Sequence, residues 1–381
     1  MQYDAITLDT NLFNHNSFNL EGGMLGQLTQ FREGSAMLVL SEIVIREVNK
    51  YLKEKAKNAR DKLGQAIKEA RESGVLSGDA MEALEKSHQD ALLPEEAARK
   101  RLNRFAADTN LSVVAGHDVD VKELIRRYFS PAPPFEGSGK KKSEFPDAIA
   151  LITLEAWARK HSKHILAISK DQGWQAYAKT SEFIDVEEDL AVALEKFQED
   201  AEEAQAHFES LLKAADAEPA TALRDELVSQ LADAVGELAV ETDASAGFNW
   251  EADESARLIY TDFKFLHNGS AYDFKVVQVG KRLIAAKVKL FVTAKAEADF
   301  TFSVYDSTDK DEVPMGSSSA QRLVDFEAFA LVTFEGDFDN LDSVTCTAVE
   351  IVDTEITVNF GHIEPDWSDD DYDEDRWRVD E

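Results

Sequence analysis

Ala5-Ile6-Thr7-Leu8-Asp9 is the stretch on which the fold turns. A short, mainly apolar run that stops at an acid reads as a strand buried on both faces, the signature of a parallel sheet covered by helices. Ala36-Met37-Leu38-Val39-Leu40 is a second such run, and His164 to Ile168 a third, followed by Ser169-Lys170-Asp171. Phe183-Ile184 gives a short last strand. Between the second and third strands Ser41 caps a helix with Ile43, Val44, Val48, Tyr51 and Leu52 at helical spacing, which predicts a helix to about residue 72. A turn from Ser73-Gly74 to Ser77-Gly78-Asp79 leads into a further long helix ending near Ala107, so that the two make a charged helical hairpin. A short helix at about 119–128 and a Pro/Gly-rich loop from Ser130 to Gly139 follow. Pro146 stands where a first helical turn accepts proline, Ala148 to Trp157 is an apolar helix, and Gln172 to Ala178 a last short one. Strands alternating with helices imply an α/β fold, a parallel sheet flanked by helices.

The rest of the chain changes period. Residues 187–245 are Ala/Glu/Leu-rich and predict a helical connector, interrupted around Ala215–Pro219. Val288, Leu290, Val292, Ala294, Ala296, Ala298, Phe300, Phe302 and Val304 then alternate with mostly polar residues, a half-buried strand too long to stay straight. Shorter runs at 258–265, 272–279, 328–334 and 344–360 complete a C-terminal antiparallel β-rich domain. The expected divisions are 1–186 for the α/β domain, 187–245 for the connector, 246–366 for the β-rich domain and 367–381 for an acidic tail without fixed structure.

The net charge of -33 divides unequally. Residues 1–185 hold 26 Lys+Arg against 27 Asp+Glu, whereas 186–381 hold 15 against 47. A near-neutral first half is compatible with a basic groove; a second half of net -32 repels phosphates at long range, less so in salt. The acidic half reads in three ways: a phosphate mimic over a groove, a docking surface for a basic protein partner, or simply a well-solvated sheet domain. One cysteine, Cys346, rules out an internal disulfide and suits a reducing compartment. The start of the chain lacks a signal-type apolar run, and no apolar stretch is long enough to cross a bilayer; a cytoplasmic protein without a membrane partner is expected.

Two acids end equivalent strands, Asp9 the first and Asp171 the third. In open parallel sheets the carboxyl ends of strands line the crevice where ligands bind. Each acid alone reads equally as a cap for the next helix; the pair favours a site. Glu47 lies four residues from both Ile43 and Tyr51, at the edge of an apolar stripe, where a carboxylate is costly unless a cation or solvent reaches it. Asp147 follows Pro146 in a first helical turn, where the helix dipole alone accounts for it, as it does for Glu42. Taken together, hard oxygen donors without paired histidines or cysteines point to Mg²⁺ or Mn²⁺ rather than zinc. Neither Gly22-Gly23 nor Gly137-Ser138-Gly139 follows a strand as a nucleotide-binding loop does.

Leu8-Asp9-Thr10-Asn11, Glu47, Lys142-Ser143-Glu144-Phe145-Pro146-Asp147-Ala148 and Ile168-Ser169-Lys170-Asp171-Gln172-Gly173-Trp174 together resemble the PIN ribonuclease family, in order and spacing, over about 180 residues. The resemblance implies a PIN-like sheet and an acidic pocket in which Asp9, Glu47, Asp147 and Asp171 hold Mg²⁺ or Mn²⁺. It also implies that Asn11 steadies Asp9 or the phosphate. Lys140, Lys141, Lys142 and Lys170 stand beside that pocket and read either as phosphate contacts or as a solvated charge run. Trp174 reads as helix core before it reads as a base-stacking ring. The implied activity is metal-dependent endoribonucleolytic hydrolysis leaving a 5′-phosphate and a 3′-hydroxyl, in the setting of a toxin or antiviral system. The implied partner is RNA, with DNA left open as the substrate of a structure-specific nuclease, and a homo-oligomer is compatible. A scaffold with a PIN-like fold, acting through its acidic C-terminal half, is the reading from a different class. The C-terminal half resembles no family.

Overall fold

A computed structural model of the chain describes residues 3–130, 132–135, 144–198, 201–217, 221–252, 256–307 and 310–366. The expected acidic tail, 367–381, lies outside the described residues. Two compact units are formed: residues 1–205 with 275–280, and residues 206–274 with 281–381.

In the first unit, β1 (Ala5–Leu8), β2 (Met37–Ser41), β3 (Ser112–Val114), β4 (Ile165–Ile168) and β5 (Ile184–Glu187) make a parallel sheet in the order β3-β2-β1-β4-β5. Ala5, Ile6, Thr7 and Leu8 are all buried, as are Ile165 to Ile168, which is why neither strand alternates in sequence. Helices α1 (Thr10–His15), α2 (Gly23–Gly26), α3 (Glu42–Ser73), α4 (Gly78–Asp90), α5 (Pro94–Thr109), α6 (Val121–Phe129), α7 (Phe145–His161), α8 (Gln172–Ala178) and α9 (Leu190–Glu195) connect and cover it. Ser41 caps α3 by accepting from the Ile43 amide at 3.2 Å, and Gly74, at φ +67°, ends it in the left-handed conformation that glycine adopts without a Cβ penalty. Val44, Val48 and Leu52 face inward, while most of the distal half of α3 is solvated. From α7, Ala148, Leu151 and Leu154 pack with Ile165, Trp174 and Tyr177 as the core beneath the sheet.

Two expectations are corrected here. The long helix expected to end near Ala107 is two helices, α4 and α5, because Pro94 cannot continue a helix from Asp90 and instead starts a new one at its first position. β3 is a fifth strand, too short and too exposed at Val113 to show as an apolar run.

The second unit is antiparallel and β-rich, as its period-two pattern predicts. Helix α10 (Ala201–Ala215) bridges the numbering of the two units, and α11 (Ala222–Gly236) buries Leu223, Leu227, Leu231 and Val235. The remaining strands of the chain are β6 (Val240–Ser245), β7 (Asn249–Ala252), β8 (Arg257–Phe265), β9 (His267–Asn268), β10 (Ala271–Tyr272), β11 (Phe274–Gly280), β12 (Leu283–Asp306), β13 (Asp311–Glu335), β14 (Thr345–Val352) and β15 (Ile356–His362), of which β11 falls, from Lys275 on, in the first unit. β12 pairs with β13 along its whole length, from Leu283↔Glu335 to Asp306↔Asp311, with an irregularity at Phe302/Ser303 that relieves so long a strand. β7 and β8 lie on the other side of β12, β14 on β13, and β15 pairs in parallel with β6. The first half of β13, including Gly316-Ser317-Ser318-Ser319, carries no apolar alternation and is a strand only through its partner.

Candidate metal centre

Asp9 leaves the carboxyl end of β1, its amide donating to Ile168 O at 3.0 Å, and Asp171 follows the carboxyl end of β4 by three residues. The parallel pairing of β1 with β4 therefore brings both acids to one edge of the sheet. Asp9 is 3% exposed. Its Oδ2 accepts from Ser169 Oγ at 2.8 Å and from Asn11 Nδ2 at 3.3 Å, and Oδ1 from the Asn11 amide at 3.4 Å. Asp171 caps α8, its Oδ1 accepting from the amides of Gly173 at 2.7 Å and Trp174 at 3.1 Å. Both acids are thus helix caps, and that role leaves Asp171 Oδ2 without a hydrogen bond among the described residues.

Glu47, half-buried on α3, accepts from Thr10 Oγ1 at 2.5 Å through Oε2. Asp147, in the first turn of α7, accepts from Trp174 Nε1 at 3.0 Å through Oδ1. The helix dipole therefore does not exhaust what Asp147 does. In each case the other carboxylate oxygen takes no hydrogen bond among the described residues. Trp174 is fully buried and belongs to the core, and its indole N–H is what aims Asp147.

Burial pushes Asp147 up to about 6; the Trp174 hydrogen bond opposes this, and the charges of Asp9, Asp171 and Glu47 add to it. Burial also raises Asp9, against the pull of Ser169 and Asn11, with the charge of Asp171 adding to the rise. The four acids are therefore in electrostatic reach of one another, and every neighbour that holds them is neutral: Thr10, Asn11, Ser169, Trp174 or a backbone amide. Carboxylates that crowd together without a cation are the donor set that a hard divalent ion fits. Among the described residues no three His, Cys, Asp or Glu side chains are gathered closely enough to hold an ion as they stand. The set is an open cluster rather than a closed cage.

Asn11 and Lys170 are exposed, Asn11 against Asp9 and Lys170 between Ser169 and Asp171. Lys140, Lys141 and Lys142 lie outside the described residues. Three contributors carry no signal of their own in sequence. Thr10 and Ser169 are small polar residues that any loop could hold, and they gain meaning only when the sheet sets them beside Glu47 and Asp9. Gly173 is the third: a Cβ there would stand 2.8 Å from Asp171 Oδ1 and 3.1 Å from Pro134 O. Glu42 also does more than complement the helix dipole, accepting from the Gly116 amide at 2.8 Å and tying α3 to the segment after β3.

Compared with known proteins, residues 6–174 match the model of the PIN domain family. No curated protein and no solved structure matches the chain. The matched span opens within β1 and closes on Trp174, and so contains Asp9, Glu47, Asp147 and Asp171. Residues 6–174 of this chain are a PIN domain, of a nuclease family, and the part that follows is assigned to none.

Proposed function

We propose that the chain is a metal-dependent endoribonuclease whose Mg²⁺ or Mn²⁺ is held by Asp9, Glu47, Asp147 and Asp171. The observation that carries this reading is that Asp147 lies within electrostatic reach of Asp9, Glu47 and Asp171, the four coming from four separate elements, each steadied by a neutral donor and none balanced by a cation among the described residues. Buried like charges cost stability, and a fold retains such a cluster readily when a bound ion offsets the repulsion. When bound, a hard divalent ion supplies positive charge at a phosphodiester and a water made more acidic for attack. The protein's own part is positional. Ser169 and Asn11 fix Asp9, Trp174 fixes Asp147, the α8 amides fix Asp171 and Thr10 fixes Glu47, each leaving oxygen lone pairs for the ion. Lys170, exposed between Ser169 and Asp171, is the cation proposed to meet a substrate phosphate. RNA is the substrate proposed, as the general preference of the resemblance, and the C-terminal half is proposed to dock or regulate.

Incubating the full chain with labelled single-stranded RNA, duplex RNA and DNA, in Mg²⁺, Mn²⁺ or EDTA, tests the proposal. Cleavage of RNA with metal and none in EDTA is expected. Cleavage of DNA alone would move the substrate to the structure-specific nuclease reading. Absence of cleavage on every substrate would favour the scaffold.

A further inference from the structure

Beside the acid cluster lies a cavity of about 460 Å³, lined by Pro133, Pro134, Gln172, Gly173, Ala176 and Lys179 among others. Its volume is in the range of small-ligand sites. It shares a wall with the cluster, because Gly173 lines the cavity and its amide also holds Asp171 Oδ1 at 2.7 Å. That wall is fixed. Arg127 donates to Pro133 O at 2.5 Å, is itself paired with Glu123 at 2.7 Å, and stacks over the Tyr177 ring at 4.4 Å. Gly173 brings Pro134 close: any Cβ at 173 would meet the Pro134 carbonyl. The lining divides by chemistry into an apolar side of Pro133, Pro134 and Ala176, and a polar rim of the exposed Gln172 and Lys179. Lys179 is in no ion pair among the described residues.

We propose that this cavity is a nucleotide subsite, taking the base and ribose next to the scissile phosphate of a single-stranded RNA. This rests on the nuclease reading above and adds a base-reading site to it. Pro133 and Ala176, both partly exposed, give the apolar surface against which a base or ribose packs, and apolar packing of this kind tolerates any base. The Gln172 carboxamide, a donor and an acceptor on one rim, discriminates between base edges. Lys179 lies on the same rim, where the backbone of the strand would pass, and pairs with its phosphate.

Three full-length variants test it: Ala176→Phe, which fills the cavity, Gln172→Ala, and Lys179→Ala. Two readouts keep the subsite and the nuclease reading apart. The first is binding of a fluorescently labelled single-stranded RNA twelve-mer in EDTA, where no cutting can occur. Expected are about tenfold weaker binding for Ala176→Phe, on the scale of one lost stacked base, and a salt slope lower by about one for Lys179→Ala. The second is sequencing of the ends cut from a random-sequence RNA with Mn²⁺. Wild type is expected to prefer certain bases at one position flanking the cut, and Gln172→Ala to flatten that preference. Ala176→Phe and Lys179→Ala that both bind as wild type does would overturn the subsite, whether or not the protein cuts. Wild-type binding that depends on the cavity, without cutting by any metal, would leave the subsite standing and sink the nuclease reading alone.

Discussion

Asp171 closes the N-terminus of α8 with Oδ1, and asparagine at that position would keep the cap, since its carbonyl oxygen accepts the same two amides. Asp171→Asn therefore removes charge while sparing the fold, and Asp147→Asn does so on the same logic; Asp9→Asn also removes the charge, but its amide NH₂ replaces an oxygen that accepts from Asn11 or Ser169. Each is expected to lower RNA cleavage by about a hundredfold or more, the scale of losing one preorganised electrostatic group, with circular dichroism unchanged. Wild-type cleavage by Asp147→Asn would return that residue to a helix-dipole acid. The raised Asp147 also has a consequence for stability. Its folded value, about 6, stands above the ordinary 3.8, so the folded state binds this proton more tightly than the unfolded chain does. The contribution is complete below about pH 4 and disappears as pH rises through about 6. In EDTA, Asp147→Asn is thus expected to melt above wild type at pH 8 and to lose that advantage near pH 4.5. An equal difference at both pH values would show that the carboxylate is not strained by its neighbours.

At the scale of elements, buried parallel strands and long amphipathic helices were legible, because apolar runs and the 3.6-residue period report burial directly. Asp9 and Asp171 were legible with them, since each ends such a run. What stayed hidden is what depends on a partner. β3 and the Ser-rich half of β13 are strands only because β2 and β12 supply their hydrogen bonds. Thr10 and Ser169 matter only by the acids they meet, and the Trp174 ring, readable as core, hides the indole N–H that holds Asp147. Lys287 on β12 is another such case: it is buried, paired with Asp353 at 2.6 Å, and lies 4.6 Å from the centre of the Phe329 ring. Lys287→Met is expected to cost about 3 kcal/mol of stability, because it takes the positive charge away from a largely buried carboxylate, as broken buried pairs do. Chemical denaturation of the full chain, followed by circular dichroism, reads this; a change below about 0.5 kcal/mol, typical of surface substitutions, would count against the pair's importance.

The whole molecule is not cut cleanly by sequence position. Residues 275–280 belong with the first compact unit, where Val277 O accepts from Gln30 Nε2 and Gln198 Nε2, both at 3.0 Å, and Lys275 pairs with Glu195 at 3.2 Å. A fragment ending at residue 245 loses that segment, and is expected to melt several degrees below the full chain when both are followed by a first-unit probe such as Trp174 fluorescence. An unchanged melting temperature would show those contacts to be dispensable. The docking or regulation proposed for the acidic half, net -32 over 186–381, is therefore better tested in full-length proteins with acids neutralised than by truncation. Across both units, among the described residues, no helix is long and apolar enough to cross a membrane. Whether the four carboxylates act as one ion site is read, without needing a substrate, by Mn²⁺ titration followed by electron paramagnetic resonance. Wild type should bind Mn²⁺ at pH 7.5, with Asp9→Asn, Glu47→Gln, Asp147→Asn and Asp171→Asn each weakening it by about tenfold or more; binding that survives all four substitutions unchanged would contradict a shared ion site.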